Sequence, residues 1–251
     1  MTLPASDVDA IRAAHDRVLE RIAAACARVD RDPADVVLVA VSKEVESSRV
    51  RDAVAAGIRT FGENRVQEGM AKRPEVEGSD LTWHLVGPLQ SNKARKAVET
   101  FDVIQTIDSV DLARRIDAIV AAAGGARRYP VLLQVNVDAD PAKSGLHPPD
   151  VEPALAEIAA MPHLAVEGLM TVGRLVDAAE AARPTFRALR ELSGRLRAAG
   201  TALGPALSMG MTDDFEVAVE EGATIVRVGR AIFGERPHHH APGEPEHSHA
   251  R

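Results

Sequence analysis

The sequence predicts an α/β protein: a single closed (β/α)8 TIM barrel with one extra helix at its N-terminus. Three observations carry this. Eight short runs rich in Val, Ile and Leu alternate with amphipathic stretches between residues 36 and 229. The length of 251 residues suits one such barrel. No linker-like composition shift divides the chain, and no repeat of fixed period is visible. The alternation alone implies a parallel sheet, open or closed, and eight βα units in this length favour closure.

Each element follows from local pattern. A helix is expected from Asp7 to Val29, with Ser6 as N-cap. VVLVAVS (36–42) reads as a buried strand, followed by a helix from Ser48 to Ala56 that Gly57 ends. IRTFGE (58–63) is the second strand and Arg65 to Lys72 its helix. TWHLVG (82–87) and Ser91 to Glu99 form the third pair. VIQTID (103–108) and Val110 to Ala123, stopped by Gly124-Gly125, form the fourth. PVLLQVNV (130–137) is the plainest strand, and its helix runs from Pro149 to Met161. AVEGLMTV (165–172) precedes a long helix from Ala178 to Ala199, closed by Gly200. ALSMG (206–210), a helix from Asp213 to Glu221, and TIVRVG (224–229) complete the set. The domain is expected to span residues 1–236. The His-, Pro- and Glu-rich tail, 237–251, is expected to be disordered and to offer no fixed geometry to a metal.

Composition narrows the function. The net charge of −7 argues against nucleic acid, which needs a basic face. Cys26 stands alone, which excludes an internal disulfide and a Cys-based zinc site; among alanines in a helical pattern it reads as a buried structural thiol. No apolar run approaches the roughly 20 residues that span a bilayer, and the N-terminus lacks an apolar signal core. A soluble, cytoplasmic, monomeric protein without membrane association is expected.

A TIM barrel carries its site at the C-terminal ends of its strands. Lys43 directly follows the first strand. Desolvation at that place lowers a lysine's pKa and frees its amine to attack an aldehyde, although a lysine there can also simply snorkel to the rim. The seventh and eighth strands end in glycine-bearing segments, SMGM (208–211) and VGRAIFG (228–234). In barrels these two loops often bind phosphate, because glycine lets backbone N–H groups approach it. Ser208 adds a hydroxyl. Arg227 alternates with Val226 and Val228, so it can point into the mouth and meet a pyridine nitrogen; pairing with Glu63 or Glu167 is the alternative. An arginine partner keeps such a nitrogen unprotonated, which makes the ring a poorer electron sink. Amine and phosphate grip together suit a phosphorylated aldehyde, and pyridoxal 5′-phosphate (PLP) satisfies both.

The segments VAVSK (39–43), FGENRVQE (61–68), WHLVGPLQSNK (83–93), KSGL (143–146), GLMT (168–171) and LSMGMTDDFEVAVEEGATIVRVGRAIFG (207–234) resemble the YggS/PROSC family of pyridoxal phosphate homeostasis proteins. The resemblance covers the chain from about Val36 to Gly234. It implies a fold like the N-terminal barrel of alanine racemase, with PLP as cofactor. By position it makes Lys43 the Schiff-base lysine and places Asn64 near the cofactor ring. It assigns Ser208 and Met209 to one phosphate loop, Gly229 and Arg230 to the other, and Arg227 to the pyridine nitrogen. Lys143 matches a lysine tied to cofactor transfer or a secondary site. Two departures stand out: Glu44-Val45-Glu46 replaces the T-K-P of many members, and Arg65 stands where many have Tyr.

The function expected is intracellular PLP homeostasis: a carrier or regulator that holds the cofactor, with PLP-dependent apoenzymes as its recipients, and not an enzyme. A racemase is the rival reading, and an aldolase using the same lysine a third. Racemisation needs acid/base groups on both faces of the carbanion. The one tyrosine, Tyr129, precedes the fifth strand and so falls at the far end of the barrel. His84, on the third strand, is the other histidine in reach and reads as a hydrogen-bonded core residue. The chain is also expected to leave no room for a second, racemase-type domain.

Overall fold

In the computed structural model, which describes residues 7–76, 78, 80–124, 127–173 and 176–234, strand β1 (Val37–Val41) has a parallel partner on each side. One is β2 (Thr60–Glu63) and the other β8 (Ile225–Val228), so the sheet closes on itself. Between them run β3 (Thr82–Leu85), β4 (Val103–Ile107), β5 (Tyr129–Gln134), β6 (Leu164–Met170) and β7 (Ala206–Ser208), paired in chain order. The expected (β/α)8 barrel is thus the observed one. Most apolar side chains fill the shell between strands and surrounding helices, where Phe61 and Trp83 stack at 5.2 Å. A small second cluster of Val39, Leu132, Met170 and Ile225 plugs the barrel interior.

The ring contains α2 (Ser47–Ala55), α3 (Val66–Lys72), α4 (Ala94–Thr100), α5 (Val110–Ala122), α6 (Val151–Ala159), α7 (Arg183–Ala198) and α8 (Phe215–Glu220). Among the described residues, β8 is followed by α9 (Arg230–Phe233), a single turn the sequence reading did not separate as an element. It is too short to cover its share of the barrel. The first helix, α1 (Asp7–Ala27), fills that place, packing against α2, α8 and α9. Its buried stripe, Ile11, Ala14, Val18, Ile22, Ala25 and Cys26, repeats at helical spacing. Cys26 is free and buried, as its alanine-rich surroundings suggest.

Two differences from the sequence pattern have physical causes. The seventh strand stops at Ser208, because Gly210 turns the chain with φ +91°. The segment from Ala179 enters its helix through a 3-10 turn, with Pro184 in the first turn of α7, where a missing N–H costs nothing. Ser6, Gly125 and the 237–251 tail lie outside the described residues. Among the described residues no helix is long and apolar enough to cross a membrane, and no cluster of His, Cys, Asp or Glu could hold a metal ion.

Candidate functional site

Seven strand ends converge on one cleft of about 460 Å³ at the C-terminal face. Lys43, Asn64, Lys143, Arg227, Gly229 and Arg230 all line it, together with Gly87, Gln134 and the Met211–Asp213 segment. Six of the expected site residues therefore share one cavity. Ser208, Met209 and His84 are buried and do not line it.

Lys43 sits in a tight turn. The Val45 N–H donates to the Ser42 carbonyl at 3.0 Å, and Glu44 has φ +62° while Lys43 does not lie at positive φ. That combination is a type II turn, whose third residue is normally glycine or asparagine. A buried cluster stands behind it. Lys72, at the end of α3, donates from Nζ to the Ser42 carbonyl at 2.6 Å and to Glu63 Oε1 at 2.8 Å. The Ser42 hydroxyl donates to the same Glu63 oxygen at 2.7 Å, and Glu68 Oε2 accepts the Glu44 N–H at 2.8 Å. Glu63 is fully buried, and burial pushes its carboxyl pKa up, while Lys72 opposes that rise. The reading from sequence did not find Lys72. At the end of a helix it looks like any solvated lysine, and its only signal is the i,i+4 pairing with Glu68.

Arg227 reaches the cleft from β8, and neither partner proposed for it from sequence is used. Glu63 is engaged with Lys72, and Glu167 is exposed on the outside of β6. Instead Arg227 donates from Nη1 to the Ser208 hydroxyl at 2.6 Å and from Nη2 to the Thr171 carbonyl at 2.8 Å. The rest of the chain of contacts is fixed by elimination. A guanidinium only donates, so Ser208 must pass its own proton on, to Gln105 Oε1 at 2.6 Å. That orients the Gln105 amide, whose nitrogen faces His84 Nδ1 at 2.7 Å and must donate to it. His84 is therefore a neutral acceptor at Nδ1, which agrees with burial lowering its pKa to about 4. The relay His84–Gln105–Ser208–Arg227 crosses the barrel interior from β3 to β8. Gln105 was also missed from sequence, although a glutamine inside an apolar strand was a signal. Burial lowers Arg227 to about 10, opposed by Asp214, so it stays cationic at neutral pH.

The rim is assembled by backbone as much as by side chains. A Cβ on Gly87 would lie 2.2 Å from the Asn64 carbonyl oxygen, so only glycine lets Asn64 take its place at the mouth. A Cβ on Gly229 would come within 3.0 Å of the Val41 carbonyl oxygen, which brings the start of α9 against the end of β1. Arg230 pairs with Asp213 and so ties the loops after β7 and β8 together. Lys143 donates to the Gly173 carbonyl at 2.8 Å and the Val172 carbonyl at 3.2 Å, bridging the loops after β5 and β6. In loop 7 the Met209 N–H is spent on the Ile225 carbonyl and the Met211 N–H on Asp214. Tyr129 begins β5 at the opposite face, with its hydroxyl donating to the Phe101 carbonyl at 2.6 Å.

Comparison with known proteins gives this arrangement its context. The family described as alanine racemase, N-terminal domain, matches residues 15–237. The pyridoxal phosphate homeostasis protein of Pseudomonas aeruginosa is 43% identical over 222 residues, which cover 88% of this chain and 93% of that one. The structure of PipY of Synechococcus elongatus with PLP bound has a TM-score of 0.75 at 42% identity, over 86% of this chain and all of that one. Alanine racemase of Clostridium difficile shares the fold, at TM-score 0.65 and 16% identity, over 87% of this chain and 56% of that one. The chain belongs to the pyridoxal phosphate homeostasis protein family, on the barrel of the alanine racemase N-terminal domain.

Proposed function

We propose that the protein binds pyridoxal 5′-phosphate in the cleft at the C-terminal face and serves its intracellular homeostasis, as a cytoplasmic carrier or regulator for PLP-dependent apoenzymes. The observation that carries this is the meeting of Lys43, Arg227 and the Gly229–Arg230 segment on one cavity. The residues fit the group: an amine for an aldehyde, a buried cation for the ring nitrogen, and a glycine-opened helix start with an arginine for a phosphate. PLP bound there would present an aldehyde, and Lys43 is the residue that would hold it, through an imine formed with loss of water. Asn64 would flank the ring and Lys143 would guard the rim. Ser208 acts through Arg227, and Met209 supports the loop from below. Arg227, cationic and able only to donate, would leave the ring nitrogen without a proton and so withhold the electron sink that amino-acid chemistry draws on.

A carrier fits better than a racemase because the tyrosine and the histidine weighed for a second proton transfer are both misplaced for it. Tyr129 faces the other end of the barrel, and the Nδ1 of His84 is committed to Gln105. Titration with PLP is expected to produce a saturable violet absorbance that Lys43→Ala abolishes, and the loaded protein should form no D-alanine from L-alanine. An unchanged absorbance in Lys43→Ala, or sustained turnover, would contradict the reading.

A further inference from the structure

The cluster behind Lys43 does more than fill space. Glu44 holds a left-handed backbone conformation that L side chains adopt at a cost, and such a conformation persists only when its surroundings enforce it. Two contacts enforce it here. Glu68 accepts the Glu44 N–H, and Lys72 draws the Ser42 carbonyl from the other side of the same turn. The lysine is 8% exposed and neutralises Glu63, which is 0% exposed, so the turn is anchored to a buried charge pair and not to solvent. Both anchors lie on α3, and Lys72 is itself bound to Glu63 at the end of β2, so the turn after β1 is tied to the following βα unit.

We propose that Lys72 and Glu68 are positioning residues that lock the Ser42–Val45 turn and thereby aim the Lys43 amine into the cleft. The unusual glutamate at position 44 makes the lock necessary, because glycine at the third place of a type II turn would need no enforcement. This inference rests on the PLP reading above, and the test separates the two.

The experiment measures the Kd for PLP by absorbance titration, with circular dichroism as the control for folding. Glu68→Ala is expected to weaken binding on the order of tenfold, the equivalent of one charge-assisted hydrogen bond. The double variant Glu44→Gly with Glu68→Ala is expected to regain most of that loss, since glycine adopts the turn unaided. A purely structural role for Glu68 would not be rescued by a change in backbone freedom at position 44. Lys72→Met should weaken binding further; because it leaves Glu63 without its cation and can fail to fold, the Glu68 pair decides the matter. A folded Glu68→Ala protein with wild-type affinity, or one that Glu44→Gly does not rescue, overturns the proposal. Wild-type protein that takes up no PLP refutes the cofactor reading instead.

Discussion

His84 lies inside the barrel as a neutral acceptor, and that state has a thermodynamic signature. Its pKa falls from the ordinary 6.5 to about 4 on folding, mainly through burial, with Asp102 opposing. The unfolded chain therefore binds the proton more readily. The stabilisation this provides is complete above pH 6.5 and is lost as pH falls towards 4. Between pH 7 and pH 5 the loss amounts to about 2 kcal/mol from this residue. Urea unfolding of wild type and His84→Gln at both pH values should show it: the wild type loses that much more stability on acidification than the variant, while equal losses would refute the neutral assignment. Single residues were legible to different degrees. Lys43 announces itself as a lysine directly after an apolar strand, and Arg227 as a charge in an alternating one. What Arg227 touches was not legible, because its partners, Ser208 and the Thr171 carbonyl, come from other strands. Lys72 and Gln105 escaped for the same reason: their meaning is created by neighbours far away in sequence.

At the scale of elements, α1 replaces the helix that α9 is too short to be. Ion pairs fasten it to α8, from Arg21 to Glu216 and from Arg28 to Glu220, but these are partly exposed and contribute little each. The buried stripe does most of the holding. Ile22 is 2% exposed, so Ile22→Ala should cost about 3 kcal/mol in chemical denaturation, against well under 1 kcal/mol for the exposed Leu19→Ala on the same helix. Similar small losses for both would mean that α1 is an appendage. The existence and order of elements were readable because period and length both spoke for them. Their ends were not, because an apolar segment that lines the mouth, such as Val86-Gly87, continues the strand pattern past Leu85, where β3 ends. Helices that open through 3-10 turns, at Ser91–Lys93 and Pro148–Asp150, blur their starts in the same way.

The whole molecule is a barrel with one polar end, and closure creates the site. β1 pairs with β8, so the lysine just past the end of the first strand and the arginine on the last, 184 positions apart in number, are brought to the same side of the mouth. An open sheet of the same elements would separate them. The registers show how directly: Val39 is opposite Arg227, and Ala40 opposite Val228. This long-range adjacency was predictable only from the closed topology, which in turn was predictable from eight uninterrupted βα units. The measurement that tests it most directly is borohydride reduction of the PLP-loaded protein followed by peptide mapping. A pyridoxyl group on the peptide containing Lys43, and on no other lysine at comparable yield, is the predicted result. Label on Lys143, Lys93 or another lysine with Lys43 unmodified would contradict the account.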